Sequence, residues 1–114
     1  MKPATAFKVL TAEQMAALEA GSFDGAPVDL SDGYIHLSTF DQLTETVDKH
    51  FAGQDDLHVA EVDLDALGEA VKWEPSRGGQ LFPHLYGPLP LDVVVAYGPL
   101  HRDDAGRVRR PVTG

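Results

Sequence analysis

The sequence predicts an α+β domain built on an antiparallel or mixed sheet, and three observations carry that expectation. The predicted elements run strand, helix, loop, strand, helix, strand, and then mostly strands. Two capping boxes, Thr11-Ala12-Glu13-Gln14 and Thr39-Phe40-Asp41-Gln42, mark the starts of two main helices. The glycines form neither a dinucleotide fingerprint nor a P-loop, which weighs against a doubly wound nucleotide fold. At 114 residues, with no internal repeat or linker, residues 1–114 read as one domain.

Each element has a local cause. Ala6 to Leu10 alternates as a strand, with Phe7 and Val9 on one face and Lys8 on the other. The first capping box opens a helix with Met15 and Leu18 on its apolar stripe, ending at Gly21. Ser22 to Gly33, rich in glycine, proline and aspartate, reads as a loop. Tyr34 to Leu37 is a short strand whose polar face carries Tyr34, His36 and Ser38. Phe40, Leu43, Val47 and Phe51 recur at helical spacing after Thr39, and Gly53 ends that helix. Leu57 to Leu64 is a strand, and Asp63 or Asp65 caps a single helical turn through Leu67. Val71 to Glu74 is extended because Glu74 precedes a proline, and Ser76 to Gln80 is a mobile connection. Leu81 to Pro90 holds three prolines among aromatic and imidazole groups, a stiff segment. Leu91 to Tyr97, with three consecutive valines, is the best candidate for a central strand covered on both faces. Asp103 to Gly106 is a turn, followed by a weak edge strand at Val108.

Composition narrows the function classes. The chain has no cysteine, so disulfides, thiolate zinc sites and a cysteine nucleophile are all excluded. A formal net charge of −9 disfavours nucleic acid and anionic membranes as partners. The basic residues Arg102, Arg107, Arg109 and Arg110 lack interleaved aromatics and read as a solvated hairpin and tail. No apolar run approaches the roughly 20 residues needed to span a bilayer, and the expected location is cytoplasmic.

Three polar groups carry the candidate chemistry: His36 with Ser38, Thr39 and Gln42, then Trp73-Glu74 with Arg77, then His84 with Tyr86. Together they supply a carboxylate, imidazoles, a phenol, hydroxyls and a guanidinium. A carboxylate beside a ribose can accept hydroxyl hydrogen bonds and stabilise a developing oxocarbenium cation. Imidazole and helix N–H groups can hold phosphate or sugar, and a ring can stack on a base. Simpler roles stand beside these: Thr39 and Gln42 as a cap, Ser38 as a turn residue, and Glu74 paired with Arg77 on the surface. No metal is expected, since His36, His84 and Glu74 show no metalloprotease spacing, and Ser38 lacks the nucleophile elbow of a hydrolase.

Gly33 to Thr39 with Gln42, then Lys72-Trp73-Glu74, then Phe82 to Gly87 ahead of a valine-rich strand, together resemble a family of small bacterial proteins known as a domain of unknown function. The resemblance runs from about Phe7 to Pro111. That family is similar to a minimal ADP-ribosyltransferase-like fold, two small split sheets around an NAD cleft. The resemblance implies that Lys8 stands where relatives present His or Arg on the first strand. His36, Ser38 and Thr39 match the second motif, and Glu74 is the nearest candidate for the late-strand Glu.

The function this implies is a cleft for NAD or an ADP-ribose-like nucleotide, with ADP-ribosyl transfer or NAD glycohydrolysis as its reaction. NAD would be a substrate rather than a resident cofactor. Glu74, His36 and His84 would be catalytic, and Ser38, Thr39, Gln42, Arg77 and Tyr86 would bind substrate. The alternative is a non-catalytic module that binds a ligand or a protein partner on the same fold.

Overall fold

A computed structural model describes residues 3–111, and the side chain of Arg77 lies outside the described set. The chain is α+β, with every described strand pair antiparallel. Six strands divide into two three-stranded sheets. The first has the order β1 (Thr5–Leu10), β3 (His58–Asp63), β6 (Val94–Pro99). The second has the order β2 (Ile35–His36), β5 (Leu81–Leu85), β4 (Val71–Pro75). The chain crosses between them just after β2, where Phe7 and Ser38 exchange backbone hydrogen bonds of 2.7 and 2.9 Å.

Both expected capping boxes form. Thr11 and Gln14 open α1 (Ala12–Glu19), and Thr39 and Gln42 open α3 (Phe40–His50). The α3 stripe of Leu43 and Val47 packs on Phe7, Val9 and Val59 of the first sheet. The other face of that sheet, Ala6, Leu10, Ala60 and Val62, packs on Met15 and Leu18 of α1 and on Ile35 and Leu85 of the second sheet. Strand β1 is therefore buried on both faces, and Lys8 is buried with it. Asp63 caps α4 (Leu64–Leu67), its Oδ1 accepting from the N–H groups of Asp65 and Ala66.

Two expectations about elements are corrected. Within the expected loop 22–33 the chain forms α2 (Pro27–Asp32). Pro27 takes the first helical position, where its missing N–H costs nothing, Asp29 reaches back to the Ala26 N–H, and Gly33 closes the helix at φ 87°. The valine-rich strand is not central. Leu91–Val93 is a 3₁₀ turn, and β6 stands at the end of its sheet with Val95 51% exposed. The central, covered strand is β3, in which Val59, Ala60 and Val62 are buried.

The connection 76–80 is a turn rather than a loose link. Ser76 and Gln80 close the β4–β5 hairpin, and Gly78 and Gly79 adopt the positive φ values that the turn requires. The basic tail is also more than a solvated hairpin. Arg102 pairs with Asp48, and Arg110 pairs with Glu61 while lying over the rings of Phe40 and Phe7 at 4.6 and 5.4 Å. These contacts fasten residues 100–111 to the body of the domain.

Candidate functional site

The alternation of strands determines which side chains meet. In the second sheet His36 is opposite His84, and His84 is opposite Lys72. Side chains two residues along share a face, so Tyr34, Glu74, Phe82 and Tyr86 join these residues on one surface. Ile35, Leu85 and Trp73 point the other way, into or against the core.

On that surface the rings form a cluster. Tyr34 stacks on His84 with centroids 4.2 Å apart, and it also meets His36 at 4.6 Å and Tyr86 at 5.2 Å. His36 and His84 meet edge to face at 5.5 Å. Glu74 Oε1 accepts from the Tyr86 hydroxyl at 2.7 Å and lies 2.8 Å from His84 Nδ1. These donors, His84 first and Tyr86 second, hold the Glu74 carboxyl below its usual range. A carboxylate is an acceptor only, so Nδ1 of His84 carries the proton. The same bond pushes the Tyr86 phenol up to about 12. Burial, followed by the charges of Asp32 and Glu74, also raises the Tyr34 phenol.

His84 is only 2% exposed, and no described residue partners its Nε2. No fully enclosed side-chain nitrogen or oxygen among the described residues lacks a partner, so this nitrogen faces open space. His84 also lines a cleft of about 650 Å³, together with Lys8, Val28, His36, Phe51 and Phe82. Glu74, Tyr34 and Tyr86 stand beyond the imidazoles and do not line it.

Behind His36 lies a second polar centre that the sequence did not reveal. Asp29, buried on α2, accepts from Lys8 Nζ at 2.8 Å, the His36 backbone N–H at 3.0 Å and the Ala26 N–H at 2.8 Å, and lies 2.7 Å from His36 Nδ1. Burial alone would raise its carboxyl, but His36, Lys8 and Ala26 outweigh burial and hold it at about 2. Burial lowers the Lys8 amine, with Asp29 opposing. Lys8 also donates to the His36 carbonyl at 3.1 Å, so the ammonium is matched by acceptors. His36 Nε2 lies 3.0 Å from Asp32, so both of its ring nitrogens face carboxylates. The missed signal was Asp29 in a Pro-x-Asp start, which reads as a helix N-terminus only once the loop assignment is set aside.

The helix start has a different character. The Ser38 hydroxyl bonds to Thr46 at 2.8 Å and is buried. Thr39 and Gln42 satisfy each other's backbone N–H groups, and Gln42 Nε2 also donates to the Leu81 carbonyl at 2.8 Å. The structure therefore brings Glu74, His36, His84 and Tyr86 together. It places Ser38 in a hydroxyl bond to Thr46 of α3, Thr39 in the helix cap, and Gln42 both in that cap and in a bond that joins α3 to the second sheet. Arg77 cannot be placed, its side chain being outside the described residues.

Among the described residues, no group of three or more His, Asp or Glu side chains is arranged to hold a metal ion. No helix of those residues is long and apolar enough to cross a membrane.

Comparison with known proteins agrees with the architecture. A family model described as a protein of unknown function, DUF952, matches residues 9–97. The crystal structure of protein CC0527 from Caulobacter crescentus superposes with a TM-score of 0.82 at 43% identity, covering 92% of this chain and 93% of that one. The solution structure of the same protein gives 0.77 at 44% identity, covering 93% and 91%. No curated protein matches the chain.

Proposed function

The chain belongs to the DUF952 family of proteins of unknown function, and we propose that its cleft binds a ribosyl nucleotide of the NAD or ADP-ribose class, on an ADP-ribosyltransferase-like fold. The observation that carries this reading is convergence: residues from three separate motifs, His36, Glu74 and His84 with Tyr86, form one continuous cluster of rings around an ionised carboxylate, and its two imidazoles line the cleft. A ribosyl nucleotide offers a flat ring to stack, hydroxyls to hydrogen-bond and, in NAD, a cationic pyridinium end.

Charge argues for how it would lie. Asp32, which lines the cleft, with Asp29 and Glu74 behind the two imidazoles, gives this end of the cleft an acidic surrounding, which favours the cationic nicotinamide riboside and repels phosphate. Lys72, whose amine lies 5.1 Å over the Tyr86 ring on the same sheet surface, would be the cation to meet a phosphate that extends past the imidazoles. Glu74, held behind His84 and Tyr86, would act on an oxocarbenium only at a distance, through its negative charge.

A second reading, the same fold as a non-catalytic ligand- or protein-binding module, draws support from His36. Both of its nitrogens are engaged, so it is poorly placed to move protons.

The test is an NMR titration of the isotope-labelled chain with NAD, ADP-ribose and nicotinamide in turn, following chemical shifts and free nicotinamide. Shifts grouped at residues 34–36 and 82–86 are expected. Their absence at millimolar ligand overturns the proposal, and binding without nicotinamide release favours the non-catalytic module.

A further inference from the structure

We infer that His84, rather than Glu74, is the group that meets the reacting atoms, and that it serves as general base toward a small acceptor, water above all. This inference rests on the reading of the cleft as a site for a ribosyl nucleotide. It assigns that site a hydrolytic reaction and names how the proton moves.

Hydrogen-bonding capacity around the cleft is unevenly used. A buried polar atom without a partner is costly, and folded proteins rarely keep one. Across the described residues the side chains near the cleft are largely spent. Lys8 has acceptors for its ammonium, His36 has a carboxylate at each nitrogen, and the Ser38 hydroxyl is tied to Thr46. His84 differs: Nδ1 is fixed by Glu74, while Nε2 has no partner among the described residues, and the residue lines the cleft. With the proton held on Nδ1, the lone pair sits on Nε2, the atom that a base must present.

Glu74 is a positioning residue in this arrangement. Its Oε1 is occupied by His84 and Tyr86, and the residue does not line the cleft. It fixes the imidazole tautomer and places a negative charge beside the ring when the ring takes a proton. The arrangement of carboxylate, imidazole and cleft is the one that activates a hydroxyl in acyl-transfer sites, here directed at water.

Burial selects the acceptor. At 2% exposure His84 cannot be reached by a side chain of a folded protein partner, but a water molecule inside the cleft can reach it. The water oxygen forms a bond to the ribosyl C1′ while its proton passes to Nε2. The C1′–N bond breaks with its electron pair leaving on nicotinamide, and the proton is released afterwards to solvent. NAD and water thus give ADP-ribose, nicotinamide and a proton, with no further co-reactant.

The test uses the full chain with NAD as the probe, measuring affinity by NMR and nicotinamide release by chromatography. In His84→Asn the side-chain amide still donates to Glu74 but offers no base. Release should fall at least about 100-fold with affinity little changed, and added imidazole should restore part of it. Glu74→Gln should lower kcat while leaving KM nearly unaltered. Because His84 is buried and its variant could misfold, nitrogen-15 NMR of the unaltered chain gives an independent reading. The proton should be found on Nδ1, and the Nε2 resonance should move on NAD binding.

Each adverse result has its own meaning. A proton found on Nε2, or full release by His84→Asn, overturns the general-base assignment alone. So does NAD binding without any nicotinamide release by the unaltered chain. Failure of NAD to bind overturns the ribosyl-nucleotide reading, and this assignment falls with it.

Discussion

Two polar regions of this molecule begin in the same six residues, Tyr34 to Thr39, and end in opposite conditions. Around Ser38, Thr39 and Gln42 the donors and acceptors of the helix start are used within the fold: a capping box, a hydroxyl pair and a bond to the Leu81 carbonyl. Around Tyr34, His36, Glu74, His84 and Tyr86 the rings stack and the carboxylate is doubly held, yet one nitrogen of His84, a residue that lines the cleft, has no partner among the described residues. The first region is built of hydroxyls and an amide, the second of phenols, imidazoles and a carboxylate, and polar content alone does not say which of them is used up within the fold. Unspent bonding capacity separates them, and it is the ground on which the second region is proposed as the site.

The sharpest way to break this comparison is Asp29, the most completely used group of all. Asp29→Ala would strand the Lys8 ammonium in the protein interior and leave the His36 and Ala26 N–H groups without their acceptor. Removing one member of a buried ion pair costs about 3–5 kcal/mol, enough to threaten the folded state of a domain this size. Denaturant unfolding should show that loss, and a loss below 1 kcal/mol would mean that the pair is not buried as described. The same group fixes a pH dependence. Its carboxyl titrates at about 2 in the folded chain against an ordinary 3.8, so folding favours its ionised form. The contribution is fully present above the unfolded value and is lost as pH falls through about 2. It amounts to about 2 kcal/mol, readable as a stability difference from Asp29→Asn that shrinks on acidification.

Gln42→Ala comes next in size. It removes the acceptor for the Thr39 N–H and the donor to the Leu81 carbonyl. We expect a loss of about 1–2 kcal/mol in thermal or denaturant unfolding, with ligand affinity unchanged. An affinity that fell in step would transfer Gln42 to the binding region and erase the distinction drawn here.

How much of this was legible in the sequence follows from the range of each signal. The two capping boxes were readable because their donors and acceptors lie three residues apart, and both formed. The α+β class followed from the order of elements. The meeting of His36, Glu74 and His84 was readable only as a proposal, because it depends on strand register, which single-residue patterns do not record. Asp29 was hidden for a related reason. Its partners Lys8 and His36 are 21 and 7 residues away, and its helix was masked by the glycine, proline and aspartate that usually signal a loop. The valine run misled because β propensity reports a pleated, partly buried surface and not a place in the sheet, and β6 stands at an end.

Tyr86→Phe should have the smallest effect and tests the comparison from the other side. The phenol is exposed, and its bond to Glu74 spans two groups in contact with water, so denaturant unfolding should show almost no change in stability. Its electrostatic trace should still be visible. Glu74 is held low by His84 first and Tyr86 second, so losing the hydroxyl should move the Glu74 carboxyl titration upward without returning it to the ordinary value. Carboxyl-carbon NMR of the labelled chain reads that movement directly. In the reciprocal experiment, Glu74→Gln should bring the Tyr86 phenol back from about 12 toward its usual 10, followed by phenolate absorbance. If neither group moves when the other is changed, the bond between them is not formed in solution. Glu74 would then be free to turn toward a ligand itself, and the division of labour between carboxylate and imidazole would have to be reversed.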